Sequence, residues 1–145
     1  MKTTLPRGLR NNNPLNIRKS KTTWTGQKTD GTDTQFCQFL KPAFGWRAAF
    51  KLLHRYYTIY GLKTIELMVS RWAPSNENDT EAYIESVCND MNWNRKKPLP
   101  PVPRQPGVWM ALAYAMAHIE NGQDCPVKPM LEGFDMFFQT LTGGK

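Results

Sequence analysis

At 145 residues the chain has the length of one domain, long enough to bury most of its surface on folding and too short for a large α/β enzyme. Hydrophobic residues make up 40% and charged ones 21%, and seven Phe, five Tyr and five Trp exclude the aromatic-poor composition of a disordered chain. A net charge of +7 points to a polyanionic partner, either nucleic acid or a bacterial wall with its peptide carboxylates and acidic polymers.

The amino terminus, Met1-Lys2-Thr3-Thr4-Leu5-Pro6-Arg7, lacks the apolar core of a signal peptide, so synthesis in the cytoplasm without Sec export is expected. Every charged residue up to Lys28 is basic, and the first acid is Asp30. Residues 7–40 are polar and rich in Asn, Thr and Gly, which predicts a long loop. A small β-hairpin should follow, with strands at 22–26 and 34–40 around the turn-forming run 29–33. From Ala43 to Tyr60 the apolar positions recur at i, i+3, i+4 and i+7, the stripe of an amphipathic helix ending at Gly61. Thr64 can cap a second helix stopped by Pro74, and Asn78, Asp79 or Thr80 can cap a third. Residues 96–106 hold five prolines in eleven positions and should form an extended connector over the surface. Residues 107–121 then read as a nearly all-apolar central helix, and Met130, Leu131, Phe134, Phe137, Phe138 and Leu141 mark a last one. The longest charge-free apolar stretch, 108–119, is well short of the roughly 20 residues that span a bilayer. Three cysteines without a C-x-x-C, and two histidines far apart, predict no metal site, cofactor or disulfide framework and folding in a reducing cytoplasm.

Three segments can carry chemistry. Glu120 stands on the last turn of the central helix, where an apolar surround and the negative end of the helix dipole both favour its protonated form. A protonated carboxyl suits glycosidic cleavage, in which the leaving oxygen must gain a proton. A solvated Glu at a helix end is equally commonplace. The second segment carries Asn11, Asn12, Asn13 and Asn16, with Trp24 beyond them. These amides and the indole could bind sugar hydroxyls and acetamido groups, or the amides could serve only loop backbone. In the third, Glu77 and Asp79 are candidates for a second acid, although the run 78–81 also reads as ordinary helix-start chemistry.

Taken together, R-G-L-R-N-N-N-P-L-N-I-R at 7–18, W-T-G at 24–26, G-W-R-A at 45–48, R-W-A-P-S-N-E-N-D-T-E-A-Y at 71–83 and E-N-G at 120–122 resemble the motifs of phage-type lysozyme-like proteins. The resemblance covers about residues 7–135. Members of that family occur in phage and prophage genomes as virion-associated or lysis proteins of the endolysin kind. The apolar helix ending in Glu-Asn-Gly is also similar to the catalytic helix of lytic transglycosylases, and residues 11–17 to the segment that normally follows it. That order implies a circularly permuted domain with Glu120 as the catalytic acid and Asn121 at the position of a conventional Ser.

The resemblance implies a mostly α (α+β) single lysozyme-like domain over 1–145. It implies a monomeric peptidoglycan glycosidase, lytic transglycosylase or muramidase, acting on the bond between N-acetylmuramic acid and N-acetylglucosamine. Asn11, Asn12, Asn13, Asn16, Trp24, Tyr83 and Asn121 would bind substrate, and the place of action would be the periplasm or wall, with virion association an option. The alternative is a wall-binding or virion structural protein without turnover. A nucleic-acid role is less favoured, because no helix-turn-helix, zinc-finger or RNA-binding signature is present.

Overall fold

A computed structural model describes residues 5–76 and 78–142. The chain is mostly helical, with α1 at Arg7–Arg10, α2 at Pro42–Thr58, α3 at Ile65–Trp72, α4 at Thr80–Met91, α5 at Pro106–Asn121 and α6 at Val127–Leu141. No helix among the described residues is long and apolar enough to cross a membrane. The expected stop signals set most helix ends. The Thr64 hydroxyl accepts from Leu67 N at 3.2 Å at the start of α3. Asp79, among the three candidate caps, accepts from Ala82 N at 3.1 Å at the start of α4. Gly122, at φ +68°, closes α5 with its N–H on the His118 carbonyl at 2.7 Å. Helix α2 ends at Thr58, earlier than its apolar stripe suggests, because Leu62 N turns back onto the Tyr56 carbonyl around Gly61.

Helix α5 runs through the centre of one continuous apolar core, with Trp109, Leu112, Ala113, Met116 and Ala117 fully buried. Helices α2 and α6 pack side by side, the Phe50 ring standing edge-on to Phe134 at 4.9 Å and stacking on Phe137 at 5.8 Å.

The proline-rich connector departs from its expected course over the surface. Its prolines keep it extended, but Leu99 and Val102 point into the core. Its carbonyls are taken by core side chains, Leu99 O by the Tyr57 hydroxyl at 2.9 Å and Pro100 O by the Trp109 indole at 2.8 Å. Two buried apolar residues among the prolines strap the segment down.

The hairpin also differs from expectation. Two isolated antiparallel bridges, Arg18 with Phe36 and Gln27 with Phe39, replace a continuous ladder. The segment 34–40 changes partners, from 17–19 at one end to 26–28 at the other. Between them, side-chain amides take the main-chain carbonyls: Asn12 donates to Phe39 O at 3.0 Å and Asn13 to Cys37 O at 2.9 Å. The short helix α1 lies within the segment read as loop.

Loop and helix are joined by Asp33. Its carboxylate pairs with the Arg7 guanidinium at 2.8 Å and accepts from Asn11 Nδ2 at 2.9 Å and from Gln35 and Phe36 N–H groups. Arg7 first, then these hydrogen bonds, hold the carboxyl far below the ordinary range against its own burial. A folded-state pKa depressed in this way gives stability that is complete above the unfolded value, about 4, and lost as pH falls toward the folded one. Asp33→Asn is therefore expected to be less stable than wild type near neutrality, with a shallower loss in acid. Urea titrations between about pH 6 and pH 3 read this out. An unchanged acid limb would place the dependence on other carboxylates.

Candidate active site

Helix α5 delivers Glu120 to the floor of a cleft of about 410 Å³. Residues 16–18, 20, 22 and 24 form one wall, and Leu52, Arg55 and Tyr56 of α2, with Trp72, Ala73 and Asn78, form the other. The carboxylate is held from two sides. Asn16 Nδ2 donates to Oε1 at 2.9 Å and the Tyr83 hydroxyl to Oε2 at 3.0 Å. Burial raises the carboxyl pKa above its ordinary value, opposed by the donors Asn16 and Tyr83, by Trp72, and by the charge of Arg18. Desolvation wins that balance, so the group keeps its proton to higher pH than a solvated Glu. Tyr83, itself buried and facing the Glu120 charge, is pushed well above the ordinary phenol range and stays a neutral donor.

The Asn-rich loop divides sharply. Asn16 adopts a left-handed backbone, φ +54°, a conformation Asn tolerates better than most residues, and this turns its amide onto Glu120. Its Oδ1 is buried without a partner among the described residues. Asn11, Asn12 and Asn13 do not enter the cleft; their side chains hold Asp33, Phe39, Ile17 and Cys37 in the loop. Asn121 faces away from the cleft as well. Its Oδ1 accepts from Leu9 N at 3.2 Å, and its Nδ2 donates to Pro14 O at 2.8 Å and Ala117 O at 2.9 Å. It fastens residues 9–14 to the carboxyl end of α5, beside Glu120.

Trp24 lines the cleft but keeps only 7% of its surface exposed. The Arg55 guanidinium sits 5.6 Å from its ring and the indole N–H is buried without a partner among the described residues, so it offers an edge rather than an open stacking face. Tyr83 acts from beneath, through Glu120. Among the second-acid candidates, Asp79 is committed to capping α4, and Glu77 lies outside the described residues. Glu120 is the one acid lining the cleft among the described residues, with Arg18 and Arg55 as the cations. No motif in the sequence marks Arg55 or Tyr56 as cleft residues. Trp72 alone had a signal there, as part of R-W-A-P.

Removing the Tyr83 hydroxyl withdraws a donor from the charged form of Glu120. In Tyr83→Phe the carboxyl pKa rises further, and any activity needing the protonated acid should extend to higher pH, with its alkaline limb moved up. A kcat/KM profile on purified wall checks this, and an unmoved or lowered limb would contradict the assignment of that limb to Glu120.

No protein-family profile matches the chain. It is 40% identical over 121 residues to Protein P5 of Pseudoalteromonas phage PM2, an alignment that covers 81% of this chain and 72% of that protein. Identity of that extent across most of both chains makes them members of one group, and this chain belongs to the family of phage PM2 Protein P5.

Proposed function

We propose that the protein cleaves peptidoglycan glycan strands, with Glu120 as the single catalytic acid and base. The observation that carries the reading is a half-buried carboxyl, its pKa raised by desolvation, held by Asn16 and Tyr83 at the floor of an open cleft. The resemblance to lysozyme-like and lytic transglycosylase motifs supports the same assignment, including the permuted order.

One acid suits the transglycosylase route. Protonated Glu120 gives its proton to the glycosidic oxygen as the bond from C1 of the muramoyl residue breaks, and the N-acetylglucosamine hydroxyl leaves. The resulting carboxylate takes the proton of the same muramoyl residue's 6-hydroxyl, whose oxygen bonds to C1. The anhydro ring is closed and Glu120 is again protonated. Asn16 and Tyr83 stabilise the carboxylate between the two proton transfers, where the charge is greatest. A hydrolytic route would need a second carboxylate to activate water or attack C1; of the two candidates Asp79 caps α4, and Glu77 lies outside the described residues.

A second reading, that of a phage-borne wall-binding protein without turnover, is favoured by the kinship with a phage protein and by nothing in the cleft that requires turnover. Loss of turbidity from a suspension of purified sacculi separates the two. The enzyme reading expects clearing by wild type; sedimentation with intact sacculi and no clearing is the outcome expected of the binding protein.

A further inference from the structure

Helix α2 carries no acidic residue and places Arg47, Lys51 and Arg55 at successive i+4 positions, one row on its surface. Like charges so spaced repel. Among the described residues no carboxylate pairs with any of the three. Lys51 reaches the Thr140 hydroxyl of α6 at 3.5 Å, and Arg55 lies over the Trp24 ring. All three are half-buried. Burial lowers the pKa of Arg47, and it lowers that of Lys51 together with the charges of Arg47 and Arg55 on either side. The row does not end at random: Arg55 lines the cleft beside Trp24, Tyr56 and Glu120. At 1.5 Å per residue, Arg47 lies roughly 12 Å along the helix from Arg55.

We infer that this row is a track for carboxylates carried by the glycan strand whose sugars occupy the cleft, the stem-peptide carboxyl groups on one side of the scissile bond. The inference rests on the reading of the cleft as a wall-glycan site. An acidic glycan fits better than nucleic acid because the cleft that continues the row offers amide and hydroxyl groups, Asn16, Ser20, Thr22 and Asn78, and places a carboxylate at its floor. Three cations in single file match sparse, regularly spaced carboxylates, whereas duplex DNA presents a dense charge that broad basic faces neutralise.

The test is co-sedimentation of the full chain with purified sacculi, which reads binding and not turnover. The proteins are wild type and Arg47→Gln/Lys51→Gln, both positions outside the cleft, with thermal melts to establish that the variant is folded. The sacculi are used native or with their carboxyl groups amidated. At low salt the double variant should bind native sacculi roughly five- to tenfold more weakly than wild type, and the difference should vanish at high salt and on amidated sacculi. Equal binding of native sacculi by folded variant and wild type, or undiminished wild-type binding after amidation, would overturn the inference. So would absence of wild-type binding, or wild-type affinity for random duplex DNA equal to that for sacculi at the same salt, with the double variant losing both. If wild type binds in the expected pattern but never cleaves, the track stands and the catalytic reading fails.

Discussion

Glu120→Gln is expected to fold like wild type and to lose at least about a hundredfold of wall-cleaving rate, the lower range for removing a general acid. The amide fits the same contacts. Its oxygen can accept from Asn16 Nδ2, and its NH2 can donate to the Tyr83 hydroxyl, which turns from donor to acceptor. What it cannot do is deliver a proton or take one back. Stability should hold or improve near neutral pH. A carboxyl whose folded pKa is raised contributes favourably only below its unfolded value, and that contribution is lost as pH rises through the folded one. Activity within a few-fold of wild type would remove Glu120 from the chemistry. A variant that unfolds would instead show that the carboxylate is a structural element of the cleft floor.

The second large effect is expected at Gly45, in the first turn and a half of α2. Helix propensity alone predicts that Gly45→Ala stabilises, by about 1 kcal/mol in a helix interior. The packing reverses the sign. A Cβ at this position would fall on the Asn12 carbonyl oxygen, well inside contact distance, and lie 2.9 Å from Pro14 Cδ. Neither neighbour is a flexible side-chain end. Asn12 holds φ +55° and its own amide is bonded to Phe39 O, so the loop must move as a body. The net expectation is a loss of about 2 to 4 kcal/mol in urea denaturation, together with loss of activity, since the same loop brings Asn16 to Glu120. A variant as stable as wild type would mean that this loop does not dock tightly on α2.

These two residues also show what the sequence made legible. Glu120 was readable because its cause is local: an apolar helix, a glycine that stops it, and a carboxylate on the last turn. Helix caps and ends were readable for the same reason. Gly45 stood within the G-W-R-A motif, but its purpose depends on a loop more than thirty residues earlier touching α2, which no local pattern encodes. Residue type alone treats the asparagines as one group, whether of sugar ligands or of loop fasteners. Their separation depends on backbone conformation and on partners far along the chain: Asp33 and Phe39 for Asn11 and Asn12, Glu120 for Asn16. The hairpin failed as a ladder because those same amides occupy carbonyls that a neighbouring strand would have used. Arg55 and Tyr56 were hidden in an amphipathic helix, where cleft-facing residues follow the same period as core-facing ones.

The most direct measurement is mass spectrometry of the soluble products released from purified peptidoglycan by the wild-type protein. Glu120 acting alone as acid and base predicts muropeptides ending in the anhydro form of N-acetylmuramic acid, lighter by one water than the hydrolytic products. Reducing ends in their place would contradict the single-acid route and require a second carboxylate at the cleft. Intact peptidoglycan after prolonged incubation with folded protein would contradict the catalytic reading itself.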